Sequence, residues 1–134
     1  MGRQRGTAWT EARAILRRGS GELLIVKTHA ADDTPWQFPG GHVPGPALPE
    51  ESLRRLCLAG LGLELGPLVG QAAFVQRFGT HAVTYLHFVG AVADDQATPL
   101  GYAELRWVAP GQLCEYVLDA PSRHMAARLL AEGG

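Results

Sequence analysis

The residues of this chain whose type and setting suit chemistry gather around one stretch, Gly40 to Leu63, which reads GGHVPGPALPEESLRRLCLAGLGL. His42 follows the Gly40-Gly41 turn, where it either holds a local hydrogen bond or meets a ligand at a cleft edge. Arg55 lies four residues after Glu51, the spacing of a helical ion pair; its other use is to contact an anionic ligand. Arg77, Phe74 and Tyr85 are candidates for a cleft mouth, where a guanidinium or a ring stacks on a base. Trp36 and Trp107 read first as core or ledge residues and second as stacking platforms. Glu104, Asp94 and Asp95 are acids that other elements could bring to the same cleft, a scattered set of carboxylates. The five histidines show no metal-ligand spacing. No Ser-His-Asp or Cys-His arrangement and no phosphate-loop pattern stands out. Cys57 and Cys114 sit in apolar helical stretches and read as buried free thiols.

The elements that must position these residues follow from periodicity and punctuation. Trp9–Arg17 alternates, with Ala12, Ala14 and Leu16 on one face. Gly19-Ser20-Gly21 turns the chain into the apolar run Leu23–Val26, a buried strand, so the first unit is a hairpin. Trp36–Gly41 reads as a short strand ending in a turn, followed by a loop stiffened by Pro44, Pro46 and Pro49. A helix spans Pro49 to Leu61. Pro49 suits its first position, Glu50 and Glu51 suit the positive end of its dipole, and Gly62 suits its stop. Leu48 is a poor N-cap. Leu68–Phe78 and Ala82–Ala93 form a hairpin about Gly79-Thr80. Ala103–Val108 is a strand, Pro110–Cys114 a short helical turn, and Ala120–Ala131 a final helix with Met125, Leu129 and Leu130 as its stripe. The order implies an α/β fold, an α/β/α sandwich around a mixed β-sheet.

Composition bounds the rest. At 134 residues, 46% hydrophobic and 19% charged, the chain is expected to form one domain over residues 1–134, with 1–7 as a flexible tail. A net charge of −1 gives no global pull toward nucleic acid or anionic membrane. The local basic residues Arg3, Arg5, Arg13, Arg17 and Arg18 read as a solvated tail and the outer face of a first strand. No apolar run is long enough to span a bilayer and no signal-peptide pattern opens the chain, so a soluble cytoplasmic protein is expected.

Gly40–Leu63 resembles, without a gap, the loop-helix signature of the Nudix hydrolases, G-x5-E-x7-R-E-U-x-E-E-x-G-U with U apolar. Gly41, Arg55, Cys57, Gly62 and Leu63 fall on their slots, while the four glutamate slots hold Ala47, Leu56, Ala59 and Gly60. Trp36–Gly41 is similar to the family's aromatic-x-apolar-Pro-Gly-Gly segment, and Glu104–Val108 to its late E-x-x-W-V segment. The resemblance covers residues 8–132. It implies the fold named above and, for the family, Mg²⁺- or Mn²⁺-dependent cleavage of nucleoside diphosphates linked to another moiety. It also implies that Arg55 positions a glutamate and, as in some relatives, that a late acid assists as base or ligand, a slot for which Glu104 is the best candidate.

The glutamate slots explain what is missing. The last three share one helical face, and a hard cation needs oxygen ligands there. Leu56, Ala59, Gly60 and Ala47 offer none. At about 100° per residue, Glu50 and Glu51 project to the solvent side. An aliphatic face in their place wants cover, for which the Pro-stiffened loop with Leu48, a second subunit and an apolar ligand are the candidates. The expected function is therefore a Nudix-fold module without the divalent ion or any cofactor. It would bind a nucleotide-like or other small molecule, or a protein. A divergent hydrolase using Mg²⁺ or Mn²⁺ with acids such as Glu104, and a ligand-free homodimer, are the alternatives.

Overall fold

The computed structural model describes residues 7–92 and 96–133; Arg3, Arg5, Asp94 and Asp95 lie outside the described residues. The elements are β1 (Thr7–Arg17), β2 (Leu23–Lys27), β3 (Gly40–Val43), α1 (Pro49–Leu61), β4 (Val69–Phe78), β5 (His81–Ala91), β6 (Glu104–Val108), a 3-10 turn (Pro110–Glu115) and α2 (Ala120–Gly133). Five strands form a sheet in the order β4-β5-β1-β2-β6, and β3 pairs with β1 off that path. β1 and β5 run parallel from Thr7↔His81 to Arg17↔Ala91, and the other pairs are antiparallel, so the sheet is mixed. No helix among the described residues is long and apolar enough to cross a membrane.

Strand alternation feeds two cores. Ala12, Ala14 and Leu16 of β1 and Leu24 and Val26 of β2 point to one side, where they meet Leu53, Cys57 and Leu61 of α1. Ile15, Leu23 and Ile25 point to the other, where they meet Leu113, Met125 and Ala126. Leu53, Cys57 and Leu61 recur every four residues on one face of α1 and are fully buried, and each leucine there contributes about 2 kcal/mol. Leu48 caps α1 with no side-chain bond, and Gly62 ends it at φ 68, its N–H donating to the Leu58 carbonyl and the Leu63 N–H to that of Cys57. The hairpin turns at Gly79, and a bulge breaks the β4–β5 register between Gly70 and Ala73.

Several expectations need correction. The segment Trp36–Gly41 is not one strand. Trp36 and Gln37 make isolated bridges to Leu118 and Val26, and the strand proper begins at Gly40 and runs past the expected turn to Val43. Pro39, which has no N–H to give a ladder, separates the two pieces. The first strand begins at Thr7, inside the segment expected to be tail. Leu130 is exposed, because Ser122, Met125 and Ala126 take the inner face of α2. Cys114 is exposed, since the 3-10 turn buries only Leu113. Arg13 is not on an outer face: it is 4% exposed, on the same side of β1 as Ile15.

Candidate functional site

The glutamate-slot face of α1 looks onto β3 and onto the chain entering β6. A depression of about 310 Å³ is lined by Gly40, Leu56, Ala59, Gly60, Gly101 and Tyr102. Gly41 faces Leu56 closely enough that a Cβ there would touch the leucine at 3.5 Å. The Tyr102 ring lies against Gly60. Its hydroxyl accepts a hydrogen bond from the Gly40 N–H at 3.0 Å and donates one at 3.4 Å to the Gly40 carbonyl. Burial raises the Tyr102 pKa, with the Gly40 bond pulling the other way, so the phenol stays neutral. The Gly101 N–H donates to the Gly60 carbonyl at 3.0 Å and the Thr98 N–H to the Leu61 carbonyl at 2.9 Å. Of the candidate covers, Leu48 on its loop does not serve, being 63% exposed; Tyr102 covers Gly60, while Leu56 stays half-buried and Ala59 exposed.

Mg²⁺ or Mn²⁺ suits this donor set poorly. The side chains are aliphatic or absent, the one hydroxyl is neutral and hydrogen-bonded, and the nearby carbonyls are already capped. Among the described residues no three of His, Cys, Asp and Glu gather in one place. Nothing here compensates a hard cation for its hydration shell.

The other sequence candidates scatter. Arg55 is exposed and pairs with Glu51 at 3.4 Å, the plain helical ion pair. Arg54 donates to the Leu65 and Gly66 carbonyls. Ala47 packs partly buried against the α1-side core. His42 is exposed in β3 opposite Glu11, one residue from Gly41 and Val43 and so on the other face. Arg77 is exposed on β4 opposite Ala82 and reaches none of the others. Trp36 is buried in the α2-side core, with Lys27 and Arg106 against its ring at 5.4 and 5.6 Å and Tyr116 at its edge. That leaves no open face for a base. Trp107 is half-buried under the Arg18 guanidinium. Glu104 opens β6 opposite Lys27 and does not line the depression. Cys57 is buried, and burial pushes its thiol up to about 12, an inert group at neutral pH.

Across the sheet, polar groups come together that the sequence reading did not find. The Arg13 guanidinium pairs with Asp119 at 3.1 Å and Glu11 at 3.3 Å, donates to the Ser122 hydroxyl at 3.4 Å and lies 4.9 Å from the Tyr85 ring centroid. Two carboxylates face one buried cation, and both keep some solvent exposure and free acceptor lone pairs. Asp119 also caps α2, its other oxygen accepting from the Ser122 N–H at 3.1 Å. The Ser122 hydroxyl in turn accepts from the Phe38 N–H at 3.0 Å. Phe74 extends the surface, with Tyr85 on one side and His124 at 4.8 Å on the other. Burial, then Glu11, raises the Tyr85 pKa.

His87 lies beneath this group, opposite Arg13 in the parallel ladder and edge-on to Phe38. It is 1% exposed and neither ring nitrogen has a hydrogen-bond partner among the described residues. Burial first, then the Arg13 charge, pushes its pKa down to about 4. One signal for the cluster was present in the sequence. Asp119, followed by Pro121 and Ser122, has the composition of a helix N-terminus. Nothing local marked Arg13 as its partner across 106 residues.

A family model for the NUDIX domain matches residues 9–130. No curated protein matches the chain in sequence. Among solved structures, the MutT protein from Methanosarcina mazei Go1 superposes with a TM-score of 0.83 at 20% identity, covering 98% of this chain and 99% of that one. The E. coli ORF135 protein gives 0.80 at 19% identity over 94% and 91%. The NUDIX domain of Shewanella oneidensis NrtR, complexed with ADP-ribose, gives 0.78 at 9% identity over 96% and 90%. At these identities the likeness is one of fold.

Proposed function

The chain belongs to the NUDIX family, and from that premise we propose that it is a ligand-binding member that works without the family's divalent ion. The observation that carries this reading is the α1 face itself. Ala47, Leu56, Ala59 and Gly60 stand where the motif has glutamates, and Tyr102 packs into the space beside them. Metal-assisted attack at phosphorus needs an ion that neutralises phosphate charge and lowers the pKa of its water. These side chains supply no charge to hold one.

The ligand we propose is nucleotide-like, seated on the α2 side. Glu11 presents a carboxylate oxygen that Arg13 does not use, and Asp119 keeps free acceptor lone pairs, which suits the N–H groups of a base edge. Tyr85, Phe74 and His124 supply ring faces beside them. That a NUDIX domain of similar fold is found with ADP-ribose supports the ligand class.

The test is calorimetric titration of ADP-ribose and a nucleotide panel in EDTA, with a parallel assay for hydrolysis in Mg²⁺ and Mn²⁺. The expected result is binding unaffected by EDTA, weakened about tenfold by Glu11→Gln, with no turnover. Turnover that requires Mn²⁺ and disappears in Glu104→Gln would establish the divergent hydrolase instead.

A further inference from the structure

We infer that Tyr102 and an acidic side chain at position 60 compete for one volume, and that the segment Thr98–Tyr102 is a strap that ties α1 to β3 beside the motif's glutamate slots. This holds whether or not the α2 side binds a ligand.

The strap does three things at once. It caps the helix: α1 ends with carbonyls that have no helical partner, and the Thr98 and Gly101 amides take those of Leu61 and Gly60. It brings backbone against backbone, since a Cβ on Gly101 would lie 3.1 Å from the Gly60 Cα. It also fills the space above the helix, since a Cβ on Gly60 would lie 2.9 Å from Tyr102 Cε2. The ring cannot swing away cheaply, because its hydroxyl is bonded to Gly40 and its backbone neighbour to Gly60. Gly40 is itself held in the sheet by its pairing with Arg13, so close to β1 that a Cβ there would sit 1.9 Å from the Ala12 carbonyl oxygen. A glutamate at 60 therefore needs the volume that Tyr102 occupies. Restoring the acid at 60 alone would not open a cation site while the strap is closed.

The sign of one substitution tests this. In a helix, alanine is intrinsically better than glycine. Gly60→Ala is expected to lower Tm in the wild-type background, against that propensity, and to raise it in a Tyr102→Ala background. The same sign in both backgrounds would overturn the competition. Manganese titration provides the second arm, comparing Leu56→Glu/Ala59→Glu/Gly60→Glu with and without Tyr102→Ala. The expected result is at least tenfold tighter binding when Tyr102 is removed. Equal affinity in the two proteins would overturn it too. The alanine cycle decides the matter if the triple-glutamate protein does not fold.

Discussion

The two faces of one sheet treat polar chemistry in opposite ways. On the α1 side, every position that the family motif reserves for a carboxylate is aliphatic or glycine, and a neutral tyrosine packs against Gly60. On the α2 side, a buried arginine, two carboxylates, a serine and a histidine are packed under α2 with aromatic rings around them. Burying charge is expensive unless it is paired and hydrogen-bonded. On the α2 side that cost is offset by pairing, because Arg13 meets both Glu11 and Asp119.

The largest effect should come from breaking the α2-side cluster. Arg13→Ala leaves Glu11 and Asp119 without their cation and opens a cavity. A loss of about 3 kcal/mol of unfolding free energy is expected, read from urea denaturation; a change below about 1 kcal/mol would show that the cluster carries little of the fold's stability.

Next comes pH. His87 is neutral in the folded chain down to about 4, while the ordinary imidazole protonates near 6.5. Between those values the unfolded chain holds more protons, so stability falls as pH falls from 6.5 toward 4 and then levels off with respect to this group. The loss should be of the order of 2–3 kcal/mol, and His87→Phe should flatten it in a comparison of denaturation midpoints across that window.

A smaller effect should follow from Tyr102→Phe on the α1 side. It keeps the ring but strips the Gly40 N–H of its acceptor, at a cost of about 1–2 kcal/mol. Thermal unfolding at neutral pH checks it, and no change would mean that ring packing alone closes this face. The smallest should be Arg55→Ala. Its pair with Glu51 is solvent-exposed, so a shift within about 0.5 kcal/mol is expected. A large destabilisation there would reveal that Arg55 still has a structural task on the α1 face.

How much of this was legible depends on the range of the interaction involved. The bounds of α1 came directly from Pro49, the early acids and Gly62, because capping and turn chemistry act within a few residues. The buried run Leu23–Val26 and the hairpin about Gly79 were legible for the same reason. Trp36–Gly41 was misread because its pairing is divided among three partners, Leu118, Val26 and β1, none of which is a sequence neighbour. Arg13 was placed outside because alternation assigns faces relative to each other and does not say which arginine will find a carboxylate beneath a distant helix.

The sequence by itself determined that the α1 face has no anionic ligands, since side-chain identity alone decides whether an oxygen exists. It also determined the family and the order of elements, through local spacing. Only the tertiary structure decided what packs beside those positions and where the buried charge lies. Tyr102 and Gly60 are 42 positions apart and Arg13 and Asp119 are 106 apart, and no local propensity specifies which distant groups share a volume once the sheet closes.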